Sequence, residues 1–148
     1  TPKPSSAASD VYKRQVVCSP DYLARRGCPS TPGDLEAHEC LAYANMGAAD
    51  QWRFLVDGEW KAVRAGGRLR TNDGAALRAA ALAGRGLVGL PAFITQGDVQ
   101  AGRLVRVLEE FRMPEAGLFA LFHSSARLPG RARAVVEHLG AHFQRMGF

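Results

Sequence analysis

The stretch Leu69–Phe93, LRTNDGAALRAAALAGRGLVGLPAF, limits the fold more than any other part of this chain. It reads as strand, cap, helix, turn and strand. A short strand over Gly67–Thr71 runs into the polar corner Thr71-Asn72-Asp73-Gly74. A short side-chain oxygen at Asn72 or Asp73 can accept an N–H that the first helical turn leaves unpaired. The helix is expected over Ala75–Ala83, with Leu77, Ala80, Ala81 and Gly84 on one small apolar face at i, i+3, i+4 and i+7. Arg78 and Arg85 are expected to project from other parts of its surface. Gly84 and Gly86 suit a left-handed C-terminal cap. Leu87–Leu90 is an apolar run of strand length that Pro91 ends. The unit is therefore β-α-β, with its two strands expected to be parallel neighbours joined by a right-handed crossover.

Ligands of open α/β sheets bind beyond the carboxyl ends of the strands. Two corners fall there, Thr71–Gly74 and Pro91–Phe93. The first offers the N–H groups of a helix start, which favour an anion. Asp73 is itself negative and opposes one. Helix capping alone also accounts for Asn72-Asp73, so both readings stand at this level.

The 148 residues suffice for one domain with a real core. No apolar run is long enough to span a bilayer. The formal charge is +5, carried mostly by arginines scattered between apolar residues, with Lys3, Lys13 and Lys61 the lysines. Scattered arginines do not form a nucleic-acid face. They suit solubility, or a basic pocket for an acidic small molecule. Cys18, Cys28 and Cys40 include no C-x-x-C pair, and with His38 they match no standard zinc spacing. Reduced thiols of a cytoplasmic protein are the simpler reading. His138 and His142 stand at i, i+4 but lack an acidic co-ligand, and His123-Ser124-Ser125 reads as a loop. No G-x-S-x-G elbow, Walker loop or H-E-x-x-H helix occurs. No catalytic residue, metal site or cofactor is expected, and the chain reads as a non-enzyme.

Thr1–Gln15 is rich in Ser, Ala and Pro without an apolar period, and reads as a disordered or non-native lead-in. The chain opens without an initiator methionine or a signal-peptide pattern, so its first residue is read as not a natural start. The domain is expected from Val16. Ser19-Pro20-Asp21 marks a helix start, with Tyr22 and Leu23 turned inward and Gly27 as the stop. Thr31–Leu35 reads as a turn and Cys40–Ala44 as a strand. Gln51–Val56 and Glu59–Arg64 flank Asp57-Gly58 as a hairpin. Core packing is the default for Trp52 and Trp60 alike. Beyond Pro91 follow a helix over Ile94–Ala101 ended by Gly102, a strand over Leu104–Leu108, a connector over Glu109–Gly117 and an apolar strand over Leu118–Phe122. A final helix over Gly130–Met146 is expected to bury Ala132, Val136, Leu139, Phe143 and Met146.

This series of pieces, VVCSPDYLARRGCPSTPGDLEAHECLAY, then W-R-F, then GRLRTNDGAALRAAALAGRGLVGLPAF, then AGRLVRVL, then a closing strand and helix, resembles the effector-binding domain of LysR-type transcriptional regulators. The resemblance runs from Val16 to Phe143. It implies an α/β, periplasmic-binding-protein-like (type 2) fold with two subdomains and a ligand in the cleft between them. About 16–112 would form the second subdomain, a mixed sheet flanked by helices. About 113–148 would return to an incomplete first subdomain. The winged helix-turn-helix that reads DNA lies outside this chain. The resemblance also implies that Thr71, Asn72, Asp73, Gly74, Pro91 and Phe93 border a small-molecule effector, and that the whole regulator is a cytoplasmic homo-oligomer. An extracytoplasmic solute-binding protein of the same fold is the alternative, and an enzyme on a related α/β fold a third class.

Overall fold

The computed structural model describes residues 10–44, 50–118 and 129–145. The chain forms two compact units, Lys13–Pro114 and a second made of Thr1–Tyr12 with Glu115–Phe148. In the larger unit, β2 (Arg14–Cys18) leads into α1 (Pro20–Arg26). Ser19 is the N-cap, its Oγ accepting the Tyr22 N–H at 3.2 Å, and proline occupies the first helical position. A 3-10 turn (Pro32–Ala37) precedes β3 (Cys40–Tyr43). The hairpin β4 (Gln51–Val56) and β5 (Glu59–Arg64) follows. Asp57 and Gly58 turn it with φ of 53° and 81°, both left-handed, as a two-residue hairpin turn requires. Then come β6 (Arg70–Thr71), α2 (Gly74–Leu82), β7 (Leu87–Pro91), α3 (Ala92–Gln100) and β8 (Val105–Val107).

The central sheet has the order β6-β3-β7-β2-β8. β3 runs parallel to both β6 and β7, and β2 is antiparallel to β7 and β8. The two strands of the β6-α2-β7 unit are thus parallel but not neighbours, which corrects the expected adjacency. The physical reason lies in two glycines. The start of β3 passes so close to the flanking chain on both sides that a Cβ at Gly67 would lie 2.0 Å from the Cys40 carbonyl oxygen. A Cβ at Gly86 would lie 2.4 Å from that of Glu39. Gly86 therefore serves close approach rather than the helix cap expected of it. The backbone bonds Cys40 N–H to Gly66 O (3.2 Å) and Leu87 N–H to Glu39 O (2.9 Å) hold β3 in this slot.

The two faces of the sheet bury different partners. On one, Val17, Leu41, Val88 and Leu90 pack with Leu77 and Ala81 of α2, and Ile94 and Val99 of α3 join them. This is the small apolar face read from the sequence. On the other, Val16, Cys18, Cys40 and Leu87 pack with Trp52 and Phe54 of the hairpin and Tyr22 of α1. Trp60 departs from its expected place in the core and is 45% exposed. Its cross-strand partner is Leu55, so it stands on the opposite side of the hairpin from Trp52 and Phe54. One sheet face can enter the core, and Trp60 is on the other.

Both long helices of this unit end in a Schellman motif. In α2 the Gly84 N–H bonds Ala81 O and the Arg85 N–H bonds Ala80 O, both at 3.0 Å, with Gly84 at φ 69°. In α3 the Gly102 N–H bonds Val99 O (3.1 Å) and the Arg103 N–H bonds Asp98 O (2.8 Å). Between the helices lies an ionic clamp. Asp98 of α3, 1% exposed, takes Nε and Nη2 of Arg78 from α2, the second at 2.9 Å, and Nε and Nη2 of Arg103 at 2.9 and 2.7 Å. Arg78 was expected to project freely, and instead it joins α2 to α3. Hydrogen bonds from Arg78 pull the Asp98 carboxyl below its ordinary range, while its burial opposes them.

In the smaller unit β1 (Asp10–Tyr12) pairs antiparallel with β9 (Ala116–Leu118), and α4 spans Gly130–Arg145. Two expectations change. Residues 10–15, read as part of the lead-in, lie in or between strands, because a ladder is bonded through backbone groups that a short segment supplies without a marked apolar period. β9 also starts inside the expected connector. Leu139 of α4 is 45% exposed, with Val135 at 58%. The described part of this unit has only a two-stranded ladder for the helix to lie on. Ala132 and Val136, expected to be buried, are half-buried. Phe143 and Met146, residues 1–9, 119–122 and the loop His123-Ser124-Ser125 lie outside what the structure describes of side chains or chain path.

Two outcomes follow from the packing. Gly86→Ala places a methyl against backbone that cannot give way, and should cost about 2–4 kcal/mol, whereas Gly97→Ala, inside α3 where a Cβ meets open space, should stabilise by up to about 1 kcal/mol. Urea unfolding compares them. Asp98→Asn should cost about 1–3 kcal/mol at pH 7, toward the lower end because both arginines are partly solvated. The Asp98 pKa is depressed on folding, so its contribution is full above about pH 4 and fades as pH falls through the lower folded value. The gap between parent and variant should therefore close in acid.

Candidate functional site

The carboxyl ends of β6, β3 and β7 form one edge of the sheet. Thr71 ends β6, and its register partner Tyr43 ends β3. Pro91 ends β7, paired with Arg14 of β2. All four are half-buried.

The polar corner is built by local hydrogen bonds. Thr71 Oγ1 accepts the Asp73 N–H at 3.2 Å, and Asp73 Oδ1 accepts the Ala75 N–H at 2.8 Å. The Asp73 carbonyl takes the Leu77 N–H at 3.1 Å. Asp73, rather than Asn72, is therefore the N-cap of α2. Its carboxylate occupies the end of the helix that an anion would otherwise seek. Asn72 is exposed, and among the described residues its amide makes no hydrogen bond. An amide so placed can both donate and accept.

The second corner starts α3. Pro91 precedes it with φ −55° and no side chain caps it, while the Ala92 N–H reaches Lys13 O at 2.9 Å. Phe93 follows, 46% exposed in the first turn. Gly74 brings the corners together: a Cβ there would lie 3.3 Å from Ile94 Cδ1 and 3.9 Å from Leu90 Cδ2. The starts of α2 and α3 are thus in contact across β7. All six residues singled out from the sequence sit at this edge.

Two further residues belong to the edge. Tyr43 was hidden because nothing in its own segment says that β3 enters between β6 and β7. Arg14 was hidden by its place in the lead-in. Arg14 Nη2 donates to Gly89 O at 2.8 Å. Burial pushes its pKa down, and the nearby Tyr43 partly offsets this.

Most of the other reactive groups are buried or hydrogen-bonded. The thiols of Cys18 and Cys40 are buried in the core and pushed up to about 12 by desolvation, which leaves them unreactive near neutrality. Cys28 is exposed and free. His38 Nδ1 lies 2.9 Å from the Tyr22 hydroxyl, which also accepts the Glu39 N–H at 3.1 Å. Among the described residues no group of three or more His, Cys, Asp or Glu could hold a metal ion. No helix among them is long and apolar enough to cross a membrane.

A mixed sheet flanked by helices, with its polar corners at the carboxyl edge of its parallel strands, is the architecture of a ligand-binding α/β lobe. The LysR substrate binding domain family matches residues 11–144, and the chain belongs to that family, with its periplasmic-binding-protein-like fold. The chain is 33% identical over 137 residues to the HTH-type transcriptional regulator PtxR of Pseudomonas aeruginosa, covering 93% of this chain and 44% of PtxR. The Klebsiella pneumoniae protein LtrA, a probable HTH-type transcriptional regulator by name, is 31% identical, with 85% and 42% covered. The chain thus spans under half the length of these relatives. The regulatory domain of CrgA, a LysR-type regulator from Neisseria meningitidis, superposes with a TM-score of 0.70 at 25% identity, covering 93% of this chain and 68% of that one. The full-length Vibrio cholerae virulence activator AphB gives 0.77 at 20% identity, covering 95% and 49%.

The cap assignment has a direct test. Asp73→Ala should lower stability by about 0.5–2 kcal/mol, whereas Asn72→Ala should stay within about 0.5. Equal losses in denaturant unfolding would move the cap.

Proposed function

We propose that this chain is the effector-sensing part of a bacterial LysR-type, DNA-binding transcriptional regulator, and that the carboxyl edge of the Lys13–Pro114 unit forms one wall of its effector site. The observation that carries this is the packing of Gly74 against Ile94, which sets the start of α2 beside the start of α3, at the place where open α/β sheets bind ligands. Asn72 supplies an uncommitted amide, Phe93 an exposed ring, and the start of α3 backbone N–H groups without a side-chain cap. That combination suits a small molecule with an acidic or polar head and an apolar body. The acid-capped α2 takes no anion directly, so the acidic group is directed toward α3.

Relatives named as HTH-type regulators support this reading over a solute-binding protein or an enzyme. The reading includes a cytoplasmic setting, a DNA-reading helix-turn-helix supplied outside these residues, and a homo-oligomer. Control is a population shift. An effector that binds one arrangement of the regulator better than another moves the equilibrium by its differential affinity, and no further.

A thermal-shift screen of small carboxylates against the 148-residue chain tests it. At about 100 times Kd a specific ligand adds about 2.7 kcal/mol, a rise in Tm of roughly 5 °C or more for a domain of this size. Asn72→Ala should remove most of that rise and keep the unliganded Tm. In the complete regulator the same substitution should weaken the effector response about tenfold and leave DNA binding intact. A full response with Asn72→Ala at normal stability excludes this corner.

A further inference from the structure

The hairpin β4–β5 presents a second face that the core does not use. Gln51, Arg53 and Leu55 stand on it opposite Arg64, Ala62 and Trp60. The pleat sends these six away from Trp52 and Phe54, which are buried. All are exposed except Leu55, which is half-buried. Arg53 lies over the Trp60 ring, its guanidinium carbon 6.0 Å from the centroid. This is a cation–π pair between the two strands of the hairpin. An indole 45% exposed beside Leu55, with Ala62 next on its strand, makes an apolar patch at the turn end of this face, and Arg53 and Arg64 follow toward the other end. No carboxylate belongs to the six.

We propose that this face docks a short acidic peptide segment of a partner protein, carrying an apolar side chain for Trp60 and carboxylates for Arg53 and Arg64. Charge and size select this occupant. A second copy of the chain would set arginines against arginines, a like-charge opposition that disfavours pairing. The face is about 14 Å long and two strands wide. It holds six residues, against the roughly 20–30 that each side of a stable folded interface contributes. A nucleic-acid strand needs successive stacking platforms, and this face has a single aromatic ring. A peptide laid along the hairpin meets all three limits. Trp and Arg are also the side chains most often central to such contacts. The hairpin covers the opposite side of the central sheet from α2 and α3, so docking here does not depend on the effector site.

The test uses the 148-residue chain and fluorescein-labelled ten-residue peptides, one alternating Asp and Leu, one alternating Lys and Leu, together with labelled oligothymidylate. Fluorescence anisotropy should show saturable binding of the Asp-Leu peptide that weakens with salt. Trp60→Ala and Arg53→Glu should each reduce its affinity at least fivefold with unchanged melting, as expected for surface positions, and Asn72→Ala should leave it unchanged. No binding, equal binding of the Lys-Leu peptide, or full affinity in both hairpin variants overturns the proposal. So does Trp60-dependent binding of oligothymidylate in place of the peptide, or Trp60-dependent dimerisation in sedimentation.

Discussion

The fold depends on how closely β3 can be gripped. Its first residue Cys40 and the preceding Glu39 are pressed between Gly67 on one side and Gly86 on the other, with no room for a Cβ at either position. That close approach lets β3 enter between β6 and β7 and bond to both. The consequence is functional geometry. Three parallel strands now end side by side, at Thr71, Tyr43 and Pro91, where a bare β-α-β unit would have ended two. The edge gains a phenol in its middle, and the corners that follow β6 and β7 lie on either side of the end of β3.

Above that edge the helices are held at both ends. At their starts, Gly74 lets α2 sit against Ile94 of α3. Toward their ends, Asp98 takes two arginines, one from each side of the crevice between α2 and the turn after α3. The carboxylate is almost fully buried, while its partners keep a solvated side. Such an arrangement contributes orientation more than raw stability, because desolvating the carboxylate offsets much of the attraction. The corners therefore inherit part of their spacing from packing and charge some distance away, and among their residues Asn72 is exposed and takes no part in the cap. Capping occupies Asp73.

Much of this was legible in the residues. Ser19-Pro20, Asp57-Gly58, Gly84 and Gly102 each mark an element end by local chemistry, and each element ends there. The apolar period of α2 named its buried face. What stayed hidden was non-local. Strand order depends on which segments meet, so the insertion of β3 could not be read from 69–93, and neither could the role of Tyr43. Trp60 misled because alternation says that a strand has two faces without saying which is covered. Arg78 looked like a surface charge because its partner lies 20 residues on. Asn72 and Asp73 are equivalent as caps by composition, and only the Ala75 N–H distinguishes them. The lead-in concealed strand pairing because a ladder bonds through backbone groups that a short segment supplies without a marked apolar period.

The central claim is that small molecules meet this chain at the carboxyl edge of β6, β3 and β7. The most direct measurement is a two-dimensional amide NMR titration of the 148-residue chain with a carboxylate that raises its melting temperature. The account predicts that the amides of Thr71, Asn72, Asp73, Gly74 and Phe93 shift together along one saturation curve. Shifts confined to other surfaces, with those five unmoved at saturation, would contradict it.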